Sequence, residues 1–448
     1  MVPASVQAKD TGEQDRWAAI EARLDKIEAR IDGIEQRVET GQATQQDIAT
    51  AREIRGVVAD TRAETQAVSA KTDSLEQRVA AVEKKTPGSG FNVGSTNISI
   101  GGYVKLDAIS ERTSGGQLAG NAITRDFLLP STIPVGGTAS GWDTDFNARQ
   151  SRIIIKTSTP VGDKAVGTLL EMDFMVTDGG DERVSNSYTP RMRQAYITYD
   201  GWLFGQAWST FQNVGALPDS LDFVGTMPGT VFVRQPMIRY AKNGFSVAVE
   251  QPETTITTAT GGRILPGDDS MPDVVVRYDK SGLAIAGIVR QLHASSLVLP
   301  TGSDSAFGYG VSISGKVPLG ESSDFRFMGT VGQGLGRYLG ANIVNDAAID
   351  ANGKLDPITT YSGFAAFQHK WSPKLRSTLA GSYFKADNPI LFTGTSPTDT
   401  VWNALANIIY SPVPKLDVGI EYMYAERENE AGLSGNLQKV QVSAKYSF

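Results

Sequence analysis

The spacing of apolar positions changes near residue 90. Upstream, Trp17, Ile20, Leu24, Ile27, Ile31, Ile34 and Val38 follow one another at alternating steps of three and four. That is a heptad seam, with Trp17, Leu24, Ile31 and Val38 at a and Ile20, Ile27 and Ile34 at d. Arg16, Arg23, Arg30 and Arg37 then fall at g, and Glu21, Glu28 and Glu35 at e, which is complementary between parallel chains. Leu or Ile at a over Ile at d disfavours dimers and tilts the seam toward trimers or tetramers. The phase breaks around Gly41 and Gly56. A second, weaker seam runs from Ile54 to Val82 and places Thr61, Thr65 and Thr72 in its core. The competing reading is one amphipathic helix lying on the rest of the protein, which would carry a wider apolar stripe.

From residue 96 the period is two. In the last segment Val440, Val442, Ala444, Tyr446 and Phe448 share one face, and Lys439, Gln441, Ser443, Lys445 and Ser447 share the other. Segments of this kind predict antiparallel strands near 96–110, 149–158, 165–176, 191–200, 202–208, 233–241, 244–251 and 273–280. Eight more fall near 282–292, 307–317, 324–333, 360–371, 374–386, 400–411, 415–427 and 435–448. Their connections alternate in length. Short turns such as Asp200-Gly201 and Asn243-Gly244 suit type I′ hairpins, and the others are long: 111–148, 177–190, 209–232, 252–272, 293–306, 334–359, 387–399 and 428–434. Sixteen strands with short turns alternating with long loops describe an all-β transmembrane barrel.

The two faces agree with lipid outside and water inside. Leu170, Met172 and Phe174 oppose Glu171 and Asp173, Val274, Val276 and Tyr278 oppose Arg277, and Val418, Ile420, Tyr422 and Tyr424 oppose Glu421. A soluble barrel would put the apolar face inward. Tyr240, Phe245, Tyr278, Tyr410, Tyr422, Tyr446 and Phe448 near strand ends suit interfacial girdles. A soluble sandwich or propeller is the competing fold.

Composition sharpens the boundary. Of 37 aromatic residues only Trp17 precedes residue 91. The organisation is therefore a coiled coil over 1–86, a linker over 87–95 and a barrel over 96–448. With no Cys, disulfides, thiolate metal sites and thiol nucleophiles are excluded, and His293 and His369 alone leave little room for a histidine metal site. No metal, cofactor or nucleic-acid partner is expected at a net charge of −7. Met1-Val2-Pro3 carries no basic and apolar leader, and the small residues of Ala4 to Ala8 read as the scar of a cleavage site. Gly332-Gln333-Gly334-Leu335-Gly336 ends a strand rather than opening a helix, which argues against a phosphate loop.

A passive pore selects by width and by rings of charge. Beyond residue 90 there are 29 Lys+Arg and 33 Asp+Glu, so the total favours cations. Placement points the other way. Asp178, Asp181, Glu182, Asp268, Asp269, Asp346 and Asp350 fall in loops, whereas Arg152, Arg191, Arg193, Arg239, Arg277, Arg290 and Arg326 fall in strands. A charge on the lipid face costs roughly 2–4 kcal/mol at mid-bilayer, so most of these arginines should point into the lumen. Arginine's planar fork accommodates a carboxylate through two parallel hydrogen bonds. Arg152, Arg191, Arg193, Arg239 and Arg277 are the leading pore candidates, followed by Arg234 and Arg290. Arg191 and Arg193 share parity with Ile197 and Tyr199, which requires a bulge or a strand-end position. The competing reading pairs each arginine with Glu171, Asp173 or Glu250 to hold the wall.

Gly101-Gly102-Tyr103-Val104-Lys105-Leu106-Asp107-Ala108 resembles the first strand of the DcaP-type outer-membrane porins. So do Ala148-Arg149-Gln150-Ser151-Arg152, Arg191-Met192-Arg193-Gln194-Ala195-Tyr196, Gly205-Gln206-Ala207-Trp208 and Arg234-Gln235 followed by Ile238-Arg239-Tyr240. Tyr446-Ser447-Phe448 is similar to the C-terminal signal by which such barrels are recognised for insertion. The resemblance implies a homotrimeric channel in outer-membrane lipid and lipopolysaccharide, passing small organic anions, notably dicarboxylates and aromatic dicarboxylates, with its coiled coil in the periplasm. It also implies that loop 209–232 folds inward and narrows the lumen, where Asp219 and Asp222 would face the arginines. An ordinary surface loop is the plainer reading. The alternative function is a structural barrel whose coiled coil tethers the envelope to peptidoglycan or another periplasmic partner. Deleting residues 1–90 would abolish that role and spare conductance. An outer-membrane hydrolase is not supported, because the histidines form no visible triad with a serine.

Overall fold

Sixteen strands close into one antiparallel barrel in the computed structural model. It describes residues 90–118, 125–175, 185–299 and 301–448, together with residues 22, 24–34, 36–37, 39–41, 44, 46, 49–50 and 53–63. The chain divides into two units, Met1–Ser89 and Gly90–Phe448.

In the first unit the described residues are helical over 24–34 and 53–63, and Gly41 turns the chain at φ 73°. Leu24, Ile31 and Val58 bury one another, with Ile34 packed beside them. Arg62 reaches Asp25 and Glu28 while Arg55 reaches Asp32, so the two runs lie antiparallel. Seam residues Leu24 and Ile31 thus contact Val58 of the same chain. Trp17, Ile20, Val38 and the second seam from Thr65 to Val82 lie outside the described residues, as do Ala4 to Ala8, Pro87 to Ser89, Asp178, Asp181 and Glu182.

The barrel strands are β1 (Thr96–Thr113), β2 (Arg152–Val161), β3 (Lys164–Asp173), β4 (Arg191–Tyr199), β5 (Trp202–Trp208), β6 (Arg234–Lys242), β7 (Phe245–Glu250) and β8 (Asp273–Lys280). They continue as β9 (Leu283–Ala294), β10 (Asp304–Leu319), β11 (Ser323–Gln333), β12 (Thr359–Ser372), β13 (Leu375–Asp387), β14 (Thr398–Val413), β15 (Leu416–Asn429) and β16 (Ser434–Ser447). Closure is made by β1. Asn97 to Tyr103 pair with β2, and Tyr103 to Thr113 pair with β16. A closed ladder satisfies the backbone within lipid, which offers no hydrogen bonds of its own.

Turn chemistry explains the short ends. Asp200-Gly201, Asn243-Gly244 and Ser281-Gly282 all take positive φ at both positions, which a type I′ hairpin needs. The outward face is apolar, through residues such as Val104, Leu106, Ile197, Ile238, Val276, Ile313 and Ile420. Trp202 packs on Phe204 and Tyr240 at the short-turn end. With Tyr278, Tyr410 and Tyr446 these rings form one interfacial girdle.

The inside departs from a simple water-filled tube. Three loop segments, 125–133, 209–232 and 335–344, turn inward and join one apolar core. Phe127, Leu128, Phe211, Val224, Met227, Leu335 and Tyr338 pack there against wall residues Val275, Ile288, Met328, Phe364, Phe384 and Leu405. Parts of the long connections 111–148 and 334–359 therefore contribute to the lumen. Their inward turn finds apolar wall where β9, β12 and β13 place Ala286, Ala366 and Ala380 inward, beside paired charges such as Arg277, Arg326 and Arg376. A four-stranded sheet made of Ile256–Thr257, Arg263–Ile264, Ala347–Ile349 and Leu355–Pro357 lies on the long-loop side.

Candidate functional site

Strands β2 to β6 bring four arginines together on the inner wall. The required bulge is present: Glu171 pairs with Gln194 and Met172 with Met192, leaving Arg193 as the extra residue. It reverses parity, so Arg191 and Arg193 share the inner face with Glu171 and Asp173 although Ile197 and Tyr199 point outward. Arg152 lies 3.1 Å from Glu171. Arg193 bonds Glu171 and reaches Asp173 at 2.7 Å. Arg191 meets Asp173 through Nε and Nη2, both at 2.9 Å.

Arg234 completes the group without a carboxylate of its own. Its guanidinium lies 4.7 Å from the centre of the Trp208 ring, and its buried Nη1 has no hydrogen-bond partner among the described residues. Four guanidiniums thus share two carboxylates, leaving two positive charges uncompensated. Aromatic rings alternate with them. Arg152 sits over Tyr103 at 5.2 Å, and Arg193 over Phe223 at 5.0 Å. Phe223 touches Phe127 and Phe232, and Phe232 touches Trp208. Glu171 and Asp173 were foreseen as partners. The rings from loop 209–232 and segment 125–133 were not, because nothing in the period-two pattern marks a loop residue as inward.

Loop 209–232 is pinned to the opposite wall. Both oxygens of Glu421 on β15 accept bonds from it: the Ser220 hydroxyl at 2.8 Å, the Leu221 amide at 2.9 Å and the Asp222 amide at 3.1 Å. Asn407 on β14 donates to Glu421 and to the Asp219 carbonyl. Gly229 crosses so close to β12 that an added Cβ would stand 2.1 Å from the Gly363 carbonyl oxygen. A cavity of about 180 Å³ opens beside the loop, lined by Tyr103, Arg152, Phe223, Arg376 and Lys445 among others.

Other candidates are placed differently from expectation. Asp222 lines the same cavity as Arg152 but pairs elsewhere; its carboxylate takes Lys439 at 2.8 Å and the Leu128 amide at 3.0 Å, and is buried. Asp219 pairs with Arg376 on β13 and with Gln368. Both acids face β12 to β16 because the tip is drawn to Glu421. Arg277 bonds Asp279 and the Gln212 carbonyl, holding the root of the loop. Arg239 faces inward on β6, between the cluster and Arg277. Arg290 is fully enclosed and bonded to Asp273 and Asp346, so it is removed from open lumen. Loop 335–344 covers it. His293 and His369 each pair with a cross-strand serine, Ser305 and Ser323, at 2.8 Å.

Segment 125–133 carries a titrating contact. Asp126 accepts from Arg149 at 3.0 Å and from Asn147 at 3.2 Å. Burial pushes its carboxyl up to about 6, with Arg149 opposing part of the rise. A carboxyl raised on folding favours docking most below its unfolded pKa near 3.8, and that benefit is lost as pH climbs through about 6. Amide exchange in 125–133 is therefore expected to lose protection between these limits, beyond the intrinsic pH effect. Asp126→Asn should flatten that loss, and an identical profile in the variant would refute the assignment.

The family profile described as DcaP outer membrane protein matches residues 66–448. Among solved structures, the crystal structure of the outer membrane channel DcaP of Acinetobacter baumannii is similar at 25% identity and a TM-score of 0.66, over 80% of this chain and 100% of that one. OmpT, an outer membrane protein of Vibrio cholerae, aligns at 12% identity and a TM-score of 0.46, over 80% of this chain and 99% of that one. A mutant of the Rh. blastica porin aligns at 10% identity and a TM-score of 0.39, over 78% and 100%. No curated protein sequence matches significantly.

Proposed function

The chain belongs to the DcaP outer membrane protein family, and from that premise we propose an anion-selective porin for small carboxylates, its lumen narrowed by loop 209–232 against an arginine-lined wall. The barrel sits in the bacterial outer membrane and carries solute by passive diffusion. The observation that carries the reading is the charge count at the narrow side. Arg152, Arg191, Arg193 and Arg234 exceed Glu171 and Asp173 by two charges, which a dicarboxylate would neutralise. Arg234 adds a charge tied to no acid, with its buried Nη1 donor unused. Ring faces at Tyr103, Trp208 and Phe223 add flat apolar surface beside the cations, favouring dicarboxylates with an aromatic body. The chains associate as homotrimers, which the heptad period of the N-terminal sequence favours, with that segment in the periplasm.

The test is the zero-current potential of the purified protein in a planar bilayer under a KCl gradient, repeated with phthalate or succinate. The expected potential lies on the anion side, and current falls as dicarboxylate is added. A cation-side potential without block would overturn the reading.

A further inference from the structure

Loop 209–232 runs along the wall from β8 to β14, and a second loop packs beside it. Leu335, Leu339 and Ile343 pack on the inner face in one core with Val275, Ile288 and Met328. Loop meets loop: the Phe232 amide donates to the Tyr338 carbonyl at 2.8 Å, and the Gly340 amide to the Thr230 carbonyl at 2.9 Å. Apolar packing is non-directional and does not by itself fix a loop's register. A buried polar latch does.

At its centre is Arg290 on β9, with no exposed side-chain surface. It bonds Asp273 on β8 at 3.3 Å, Asp346 of the loop at 2.7 Å, the Gly334 carbonyl at 3.0 Å and the Glu253 carbonyl. Asp346 also takes the Thr255 amide and hydroxyl, both at 2.9 Å, and the Arg337 amide at 3.1 Å. The Tyr338 hydroxyl donates to Asp273 at 2.7 Å. One guanidinium therefore joins the wall to both ends of segment 334–346. Neither it nor its partners reach open lumen, so the arginine cluster does not explain their presence.

We propose that loop 334–346 is a second constriction element and that Arg290 is its positioning residue, confining flow to the arginine-lined side of the barrel. Removing the guanidinium leaves Asp346 without a cationic partner and Asp273 with Arg337 alone at 3.4 Å, and an unpaired buried charge is strongly unfavourable. The loop then swings out toward water. The wall it vacates is mainly neutral, with Val275, Ala286, Ile288, Ser312, Met328 and Thr330, and its charged residues, such as Asp273, Arg277 with Asp279 and Arg326 with Asp324, carry no positive excess. Its opening adds a wide path, without an arginine excess, beside the selective one.

The proposal rests on the chain being a pore, and its test separates the two ideas. Purified full-length protein is reconstituted in liposomes, and swelling is measured with a disaccharide and a tetrasaccharide. Bilayer conductance and zero-current potential are measured in parallel. Arg290→Met is expected to swell severalfold faster with the larger sugar, to conduct more, and to show a smaller anion potential. Arg290→Lys should recover much of the wild-type sugar cut-off. Heat-modifiable gel migration identifies folded barrels. Should Arg290→Met fail to fold, Asp346→Asn, which loosens the same latch from the loop side, decides the matter by the same sugar cut-off. Folded barrels with wild-type cut-off and conductance overturn the latch. A wild-type barrel without anion preference overturns the carboxylate reading and leaves the sugar comparison intact.

Discussion

Glu421→Ala is expected to raise single-channel conductance severalfold and to weaken dicarboxylate block while the barrel still forms. The carboxylate is buried on β15, where it accepts the Ser220 hydroxyl and the Leu221 and Asp222 amides. Those amides sit buried at the tip of loop 209–232. Each buried donor left without a partner costs about 1–3 kcal/mol. The ladder of β15 is untouched, so the loss falls on the loop rather than on the wall. Phe223 then leaves Arg193, and the narrow passage widens. Glu421→Gln keeps the shape and one accepting oxygen, and should fall between. Single-channel recordings on folded barrels provide the check; unchanged conductance in Glu421→Ala would mean that the loop does not set the width.

Arg234→Glu is expected to move the zero-current potential from the anion side toward the cation side. It changes the excess at the cluster from two positive charges to none. No acid is orphaned by the change, because Arg234 stacks on Trp208 instead of pairing with a carboxylate. A charged hydrogen bond to solute is worth about 1.5–3 kcal/mol, so the blocking concentration of a dicarboxylate should rise roughly ten- to a hundredfold. Arg191→Gln and Arg193→Gln are less clean, since each strips a partner from Asp173 and disturbs folding with selectivity. A wild-type potential in Arg234→Glu would place the selective charge elsewhere.

The strands and turns were legible because both signals are local. Alternation along ten residues and a pair such as Asn243-Gly244 specify a hairpin without reference to distant segments. Even the bulge at Arg193 could be read, since Arg191 and Ile197 cannot otherwise face opposite ways. Which arginine touches solute could not. Arg290 and Arg193 look alike in alternation, and only Asp346, 56 residues away in sequence, distinguishes a latch from a lining residue. Glu421 reads as one more inward acid until Ser220, 201 residues earlier, is brought beneath it. The inward turn of segments 125–133 and 335–344 rests on similar long-range contacts, such as Arg427 with the Ile133 carbonyl across 294 positions. Loop length gave no sign of direction.

Three inward loops also determine what the cell shows to its surroundings. Sequence spent inside the barrel is hidden from antibodies, phage and host receptors. Among the described residues, the outer face is left to small projections: Leu297 at 95% exposure, Leu391 at 88%, and the tips around Leu265 and Leu433. A vaccine peptide copied from 209–232 would raise sera against a segment that intact bacteria do not display. Antibodies raised against whole folded barrels are expected to map to those tips, where residues can change without touching the passage.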